Sequence, residues 1–354
     1  MKRLPVHEAL LYEELSEERV KCNLCSRRCT IPEGRRGFCG VRENREGKLY
    51  SLNYAEVCSL CVDPIGKKPL NHFHPGSLVF SVATIGCNFR CIFCDNWTIS
   101  QEEEIKGTYV PPEKLVDSAV KNGCQGISYT YTEPTIFFEY AFDSAKLAHE
   151  RGLFNTFVTN GYMTPEAVKM IAPYLDAATV DFKGGGDPEF YSKYSSVPSV
   201  EPIYQALKEL RKENIHIEVT NLVVPKVGDS MDALRELTSW IRREIGQDTP
   251  LHLLRFHPSY RLTEIPSTPI STLEEAYKVA KDEGLNYVYI GNVPGHKYEN
   301  TYCPNCGELL IKRFSFEIIR WRITKDMKCP SCGQEVAIKG KFYPGGAAYP
   351  YALI

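Results

Sequence analysis

The sequence lacks any apolar run long enough to cross a membrane, and its first residues, MKRLPVHEALLYEELSEERVKC, lack the apolar core of a secretory signal. It also lacks an excess of one charge, because 42 lysines and arginines face 44 aspartates and glutamates. That balance gives no electrostatic reason to expect binding to nucleic acid or to an anionic membrane. We therefore expect a globular protein of the cytoplasm, with no nucleic-acid partner and no membrane partner.

Isolated cysteines are nearly missing as well, although the chain has 14 cysteines. Only Cys124 stands alone, and we interpret it as a small buried apolar residue. A reducing cytosol does not favour disulfides, so grouped cysteines predict metal sites. The groups are Cys22, Cys25, Cys29 and Cys39; Cys58 and Cys61; Cys87, Cys91 and Cys94; and Cys303, Cys306, Cys329 and Cys332.

Strand-like and helix-like segments alternate from Ser77 onward, starting with the buried-strand pattern SLVFSVAT. This alternation predicts an α/β fold with right-handed βαβ units, of the partial (β/α)6 barrel type. We expect a cysteine-rich N-terminal module in residues 1–75, the barrel in residues 76–295 and a small C-terminal domain in residues 296–354. Chemistry in such barrels gathers at the C-terminal ends of the strands.

Cys87, Cys91 and Cys94 form a C-x3-C-x2-C motif directly after the first barrel strand. Three thiolates are one fewer than a [4Fe-4S] cluster usually takes, so one iron is left open. The open iron suits the amino and carboxylate groups of S-adenosylmethionine (SAM), whose reductive cleavage would release a 5′-deoxyadenosyl radical. We expect Phe93 to lie against the adenine. A zinc knuckle is the alternative interpretation of the spacing.

The segment TIGCNFRCIFCDNWTISQ resembles the radical SAM superfamily, on the side of the pyruvate formate-lyase activating enzymes. Together with CNLCSRRCTIPEGRRGFCGVREN, DPIGKKPLNHFHPG and LLRFHPSYRL, it is similar to the AmmeMemoRadiSam radical SAM family. The resemblance implies a [4Fe-4S] cluster, SAM, an electron donor such as ferredoxin or flavodoxin, and Memo-like and AMMECR-like partner proteins. Gly66 and the Cys58/Cys61 pair depart from the family pattern, both within residues 55–75.

Five further residues are candidates for binding SAM. Glu133 would hold the amino group, since a carboxylate suits an ammonium, or it caps a helix N-terminus. The resemblance places Thr159 and Asn160 near the ribose, although Asn-Gly also forms turns by itself. It places Lys183 near the SAM carboxylate or ribose, with a surface salt bridge as the alternative. It places His257 against ribose or substrate, where a structural hydrogen bond is the alternative.

The two groups of four cysteines predict further metal sites. Cys303 and Cys306, followed after 22 residues by Cys329 and Cys332, have the spacing of a zinc ribbon, and a rubredoxin-type iron site shares that spacing. Cys22, Cys25, Cys29 and Cys39 suit zinc or an auxiliary iron–sulfur cluster. The pair Cys58 and Cys61 would donate to the same site, form a redox pair or simply pack.

These features predict a radical SAM enzyme that abstracts hydrogen from an unidentified substrate. One alternative is an activating enzyme that places a glycyl radical on a partner protein. A second is a non-catalytic multi-zinc adaptor, and a third is an electron-transfer protein.

Overall fold

The computed structural model describes residues 7–345 and 351–352. Its N-terminal region forms two small antiparallel sheets, in the orders β1-β6-β5 and β2-β3-β4. The strands are β1 (His7–Glu8), β2 (Tyr12–Glu14), β3 (Val20–Cys22), β4 (Thr30–Ile31), β5 (Arg42–Arg45) and β6 (Lys48–Ser51). A longer strand, β7 (Glu56–Pro64), then leaves this region and pairs antiparallel with the next strand of the chain.

Seven parallel strands form the centre of the described chain. They follow one another in chain order across the sheet, and they are β8 (Leu78–Thr84), β10 (Gly126–Tyr129), β11 (Phe154–Thr159), β12 (Ala177–Lys183), β13 (His216–Val223), β14 (Leu251–Arg255) and β15 (Val288–Gly291). β7 lies beside β8 and also pairs with the short strand β9 (Thr108–Tyr109). The α/β prediction is confirmed, and the large sheet is mixed because β7 runs against the others.

Six connections containing helices join the seven parallel strands. The helices are α1 (Trp97–Ser100), α2 (Pro112–Lys121), α3 (Phe138–Glu150), α4 (Pro165–Ile171), α5 (Pro188–Ser195), α6 (Glu201–Lys212), α7 (Met231–Trp240) and α8 (Ile270–Asp282). On α6 the buried residues Ile203, Ala206, Leu207 and Leu210 recur at the spacing of one helix face. None of the helices in the described part of the chain is long and apolar enough to span a bilayer.

The C-terminal region forms a small antiparallel sheet in the order β16-β17-β18. Its strands are β16 (Thr301–Tyr302), β17 (Leu309–Phe314) and β18 (Glu317–Trp321), and a last strand, β19 (Tyr351–Ala352), pairs with β7. Tyr287 lies just before β15 and Tyr289 lies on it. Both share a hydrophobic cluster with Leu310 and Ile311 of β17. The C-terminal sheet therefore packs directly on the last strand of the barrel.

A buried ion pair ties the N-terminal region to the barrel. Arg42 of β5 donates from Nη1 to both carboxylate oxygens of Glu139 on α3, at 2.9 and 3.0 Å, and the two side chains are 2% and 1% exposed. Arg42 Nη2 also donates to Leu10 O at 2.8 Å, and Leu10 N donates to Glu139 at 2.7 Å. Removing one member would leave an uncompensated buried charge, so the pair makes the N-terminal region part of the same fold.

Candidate functional site

A cavity of about 540 Å³ opens at the C-terminal ends of the parallel strands. This is the end at which a parallel α/β sheet places its chemistry, because the loops after successive strands meet there. Most of the residues that the sequence suggests for SAM chemistry line this cavity. They are Cys87, Cys91, Phe93, Cys94, Glu133, Thr159, Asn160 and Lys183.

The loop that carries Cys87, Cys91 and Cys94 begins at Gly86, two residues after β8 ends. Gly86 has a φ of +106°, and an added Cβ would lie 2.7 Å from Val41 Cγ1 and 3.1 Å from Cys39 O. Only glycine fits there without strain, since the backbone is left-handed and the N-terminal region presses against it. On the other side, Ser195 O and Tyr194 O at the end of α5 accept hydrogen bonds from the loop.

We call Cys87, Cys91 and Cys94 the loop thiols. Cys91 Sγ lies 3.3 Å from Ser195 Oγ, Cys94 Sγ lies 3.2 Å from Ser100 Oγ, and Phe89 N donates to Cys87 Sγ at 3.4 Å. Burial raises the pKa of all three thiols, to about 11 for Cys91, so a metal must displace their protons to bind.

The loop thiols fit an iron–sulfur cluster with an open iron. No fourth cysteine lines the cavity in the described chain, so the protein offers three sulfurs and leaves room beside them. These sulfurs do not form a group within 4.8 Å of one another, as a single tetrahedral ion would require. Sulfurs bound to separate irons are instead held apart by the cluster itself.

Glu133 is buried beneath the cavity and accepts four hydrogen bonds. Oε1 accepts from Thr135 N at 3.0 Å, Thr135 Oγ1 at 2.5 Å and Thr159 Oγ1 at 2.7 Å, whereas Oε2 accepts only from Asn160 N, at 2.8 Å. Burial raises the pKa of the carboxyl, and these donors oppose the rise. Glu133 therefore caps the helical turn Pro134–Phe137 and still keeps an acceptor position on Oε2 for an ammonium group.

Asn160 links this carboxylate to the loop thiols. Its side-chain Nδ2 donates to Asn88 Oδ1 at 2.7 Å and lies 3.9 Å from Cys87 Sγ, while its Oδ1 accepts from Tyr162 N. The Asn-Gly turn expected from the sequence is present, since Gly161 has a φ of +73°. The turn therefore forms, and it places Thr159 and Asn160 at the cavity wall.

Lys183 is the last residue of β12, which lies two strands away from β10, the strand that precedes Glu133. Its Nζ lies 3.9 Å from Asp181 Oδ2. Burial lowers the pKa of Lys183, but Asp181 and the loop thiols more than compensate and raise it above its ordinary value. A permanent cation therefore faces the cavity, where it suits a carboxylate.

Phe93 and His257 differ in placement. Phe93 is buried, lines the cavity and packs 5.5 Å from the ring of Phe190. His257 is exposed, lies outside the cavity lining and contacts Ser267 Oγ at 3.0 Å. The structure does not bring His257 to the other candidates, which agrees with the structural alternative for this residue.

Sequence reasoning missed a group of charged residues at the cavity wall near β7. Lys68 is 1% exposed and its Nζ lies 2.7 Å from Asp63 Oδ2, while Lys67 Nζ lies 2.8 Å from Asp63 Oδ1. Tyr131 OH also donates to Asp63, and Lys68 Nζ lies 4.2 Å from the centre of the Tyr131 ring. Burial lowers the pKa of Lys68 to about 8. The signal was the Lys-Lys pair in DPIGKKPLNHFHPG, which precedes the first barrel strand.

A second missed group is buried behind the cavity wall and reaches it through His252. Buried Glu218 on β13 contacts His252 Nε2 at 2.7 Å and His216 Nε2 at 3.2 Å, and His72 N donates to it at 2.7 Å. Burial raises the pKa of Glu218, but the two histidines hold it well below its ordinary value. His252 faces the cavity beside Arg313, a buried cation from the C-terminal sheet.

The four C-terminal cysteines, which we call the ribbon quartet, form a compact metal site. Cys303 Sγ lies 3.6 Å from Cys332 Sγ, Cys306 Sγ lies 3.7 Å from Cys329 Sγ, and all four sulfurs lie within 4.8 Å of one another. A tetrahedral ion with Zn–S bonds of about 2.3 Å needs sulfurs about 3.8 Å apart. The ribbon quartet therefore fits one tetrahedral ion, and its geometry suits zinc and iron alike.

The other grouped cysteines behave differently. Cys22, Cys25, Cys29 and Cys39, which we call the N-terminal quartet, line a second, small cavity with Arg27 and Arg42. Cys58 and Cys61 are free thiols outside that lining. Cys58 Sγ lies 3.5 Å from Ala83 O, whereas Cys61 lies beside Tyr131, so the pair does not complete the N-terminal site. Cys124 is buried, as expected.

Comparison with known proteins agrees with this geometry. The family model of the radical SAM superfamily matches residues 81–241, which include the loop thiols, Glu133 and Lys183. The chain belongs to the radical SAM superfamily and is an enzyme of that class. A relative from Methanocaldococcus jannaschii, the uncharacterized protein MJ0808, is 49% identical over 337 residues, which cover 94% of this chain and 99% of the relative. The uncharacterized protein MJ0674 of the same organism is 22% identical over 281 residues, 76% of each chain.

Solved structures also resemble the chain at lower identity. A domain of a pyruvate-formate lyase-activating enzyme from Bacteroides vulgatus is 16% identical, with a TM-score of 0.41, and the match covers 47% of this chain and 99% of that domain. A radical SAM methyltransferase from Sphaerobacter thermophilus is 12% identical, with a TM-score of 0.47, over 60% of this chain and 67% of the enzyme.

Proposed function

We propose that this protein cleaves SAM reductively and directs the resulting radical at a small anionic or polar substrate group bound in the 540 Å³ cavity. One observation carries the proposal. The loop thiols meet a buried carboxylate with a free acceptor position and a partly buried lysine in the same cavity. When bound, a [4Fe-4S] cluster supplies the electron that cleaves SAM into methionine and the 5′-deoxyadenosyl radical.

The chain's own residues would position the cosubstrate. Cys87, Cys91 and Cys94 would hold three irons. Glu133 would accept from the SAM ammonium, and Lys183 would face its carboxylate, because opposite charges form the strongest hydrogen bonds in a site shielded from water. Thr159 and Asn160 donate to Glu133, so they fix the direction in which its remaining lone pair points.

The positive charges of Lys67, Lys68 and Arg313 at the cavity wall support an anionic or polar substrate group. Lys67 and Lys68 share the single carboxylate of Asp63, which leaves one positive charge in excess at that wall. Arg313 adds a second buried cation whose Nη1 bonds only to neutral acceptors, Glu299 O at 3.1 Å and Thr301 Oγ1 at 2.7 Å. An anion bound near these side chains would offset the excess charge of the lysine pair and would give Arg313 a charged acceptor, which its direct hydrogen bonds lack.

The C-terminal region also narrows the choice between a small substrate and a protein substrate. Arg313, Ser315 and Phe316 line the cavity, and an added Cβ on Gly66 would lie 3.5 Å from Phe316 O. This contact partly covers the cavity opposite the loop thiols. It favours a small molecule, or a small group presented by a partner, over the entry of a glycine-bearing loop from a glycyl-radical enzyme.

Other parts of the proposal rest on the sequence. The ferredoxin- or flavodoxin-type donor, the Memo-like and AMMECR-like partners, the cytoplasmic location, zinc in the ribbon quartet and the domain limits at residues 75 and 295 remain predictions. Superfamily membership argues against the non-catalytic multi-zinc adaptor.

SAM cleavage provides the direct test. The protein is reconstituted anaerobically with iron and sulfide and reduced with dithionite in the presence of SAM, and 5′-deoxyadenosine is measured. We expect Cys91→Ala to abolish the product, because a ligand of the cluster is gone. Cys124→Ala, which removes an equally buried thiol outside the cavity, should leave it unchanged. Undiminished product from Cys91→Ala would overturn the proposal.

A binding experiment tests the role of Glu133. Glu133→Gln removes the negative charge but keeps the shape, so we expect SAM to bind about tenfold more weakly or worse, since hydrogen bonds to charged groups contribute about 1.5–3 kcal/mol. Isothermal titration with SAM gives the dissociation constant. Glu189→Gln on α5, an exposed carboxylate, is the matched control and should bind like the wild type. Equal affinity in the two variants would remove Glu133 from the site.

A further inference from the structure

The N-terminal quartet converges on one enclosed space. Cys22, Cys25 and Cys39 are buried and Cys29 is half-buried, and all four line a cavity of about 10 Å³. The remaining wall is mostly apolar, formed by Leu24, Ile31 and Ile136. Four thiols that meet at one closed, largely apolar space are typical of a metal site rather than of core packing.

The spacing of the sulfurs distinguishes the kind of metal centre. In the ribbon quartet the four sulfurs lie within 4.8 Å of one another, as a single tetrahedral ion requires. Among the described residues, no three sulfurs of the N-terminal quartet form such a group, and neither do the loop thiols. The N-terminal sulfurs thus resemble those of the cluster-binding loop and differ from those of the single-ion site. A space of about 10 Å³ also remains between the four N-terminal sulfurs, whereas four sulfurs about 3.8 Å apart around one zinc ion leave room for that ion alone.

Arg42 supplies an independent observation. It is buried, it lines the small cavity, and its Nε–H has no hydrogen-bond partner in the described part of the chain, although its Nη atoms bind Glu139 and Leu10. A buried N–H without a partner is costly and points to an acceptor that the protein itself does not provide. Sulfide and thiolate sulfurs of a cluster accept such hydrogen bonds, which also tune its reduction potential.

We propose that Cys22, Cys25, Cys29 and Cys39 bind a second [4Fe-4S] cluster, each thiolate on a separate iron, with Arg42 donating to one of its sulfurs. All four irons have a protein ligand, so this centre has no open iron for a substrate and serves as a one-electron carrier or a structural centre. The spacing of the N-terminal sulfurs was compared with that of the loop thiols, which are taken to bind a cluster. In that respect the inference rests on the proposed function. The test below does not depend on it.

The test uses the full chain with the loop thiols removed. The variant Cys87→Ala/Cys91→Ala/Cys94→Ala is produced and reconstituted anaerobically, and iron, acid-labile sulfide and zinc are counted per chain. We expect a brown protein with about four irons and four sulfides, since only the N-terminal quartet remains to hold a cluster. Mössbauer spectra should show a [4Fe-4S] cluster. Sulfide distinguishes a cluster from a rubredoxin-type iron, which contains none.

Two further variants in the triple-alanine background locate the iron. Adding Cys29→Ala should remove the iron and sulfide, whereas adding Cys306→Ala should remove the ion of the ribbon quartet and leave the cluster. A colourless triple variant with two zinc ions and no sulfide would overturn the inference, and so would loss of the sulfide with Cys306→Ala. If the triple variant does not fold, Cys29→Ala in the otherwise unchanged chain decides: a loss of about four irons and four sulfides supports the second cluster, and an unchanged iron and sulfide content contradicts it. Neither count depends on SAM cleavage, so the two proposals fail separately.

Discussion

The N-terminal and ribbon quartets are two sets of four cysteines that differ in sulfur spacing and in burial. The ribbon sulfurs are close together and two of them, Cys306 and Cys332, are exposed. The N-terminal sulfurs are spread around a closed cavity that the loop after β8 and the helical turn Pro134–Phe137 adjoin. The difference shows that four cysteines in a sequence predict a metal site, whereas sulfur spacing and burial decide which centre fits.

The largest expected difference in the free energy of unfolding comes from substituting one arginine in the N-terminal region and one in the C-terminal region. Arg42→Met leaves Glu139 as an unpaired buried carboxylate, which should lower the free energy of unfolding by about 3–5 kcal/mol. Arg322→Met in the C-terminal sheet breaks a pair with Glu308 whose side chains are 37% and 27% exposed, and should cost no more than about 1 kcal/mol.

Urea unfolding under anaerobic conditions, followed by circular dichroism, measures both values. Equal costs for Arg42→Met and Arg322→Met would mean that the N-terminal region is no more integrated into the fold than the C-terminal sheet.

Two glycine substitutions compare the surroundings of the loop thiols with those of the ribbon quartet at the level of the backbone. Gly86 and Gly307 both have positive φ, of +106° and +74°, but only Gly86 is crowded, by Val41 and Cys39. Gly86→Ala should cost about 2–4 kcal/mol because it adds a clash to the strain, and Gly307→Ala about 1 kcal/mol from strain alone. Iron content should fall in Gly86→Ala, since the loop thiols must move. Normal iron content together with a small cost would show that the loop does not depend on the N-terminal region.

The smallest expected effect is a pH dependence at Lys68. Burial lowers its pKa to about 8 in the folded protein, against an unfolded value of about 10.4. Between these pH values the unfolded chain binds more protons, so the free energy of unfolding rises with pH, by up to about 1.4 kcal/mol per unit. The wild type should therefore gain stability relative to Lys68→Met from pH 8 to pH 10.

Lys328→Met is the control for this experiment, because Lys328 pairs with Asp326 at 3.3 Å on the exposed C-terminal surface. Its stability relative to the wild type should stay constant over the same range, since solvent screens the pair. A flat or falling wild-type advantage over Lys68→Met would contradict the burial of a charged lysine at this wall.

Local patterns in the sequence predicted the alternating α/β elements and pointed to one half of the candidate site. The loop thiols, Glu133 and Asn160 follow a recognisable strand, Thr159 and Lys183 end one, and parallel strands bring such positions to one end of the sheet. His257 also follows a strand, but β14 ends at Arg255 and the chain then turns outward, so the cavity receives His252 from within the strand instead.

The other half of the site depends on contacts that no local pattern encodes. Lys68 lies before the first barrel strand, and Arg313 reaches Asn71 O, at 3.3 Å, from 242 positions further along the chain. These segments lie outside the parallel strands, so their arrival at the cavity follows from tertiary packing alone. The same holds for the N-terminal quartet, whose spacing in the sequence suits zinc and an iron–sulfur cluster equally.

The ion pair between Arg42 and Glu139 has a consequence for biosynthesis. The N-terminal 55 residues leave the ribosome first, but the carboxylate that neutralises Arg42 belongs to α3 and is translated about a hundred codons later. Until then the four N-terminal thiols and the guanidinium have no finished pocket. The cluster that we propose at this end of the chain would therefore be inserted only after synthesis of the first third of the barrel, whatever order the cysteines have in the gene.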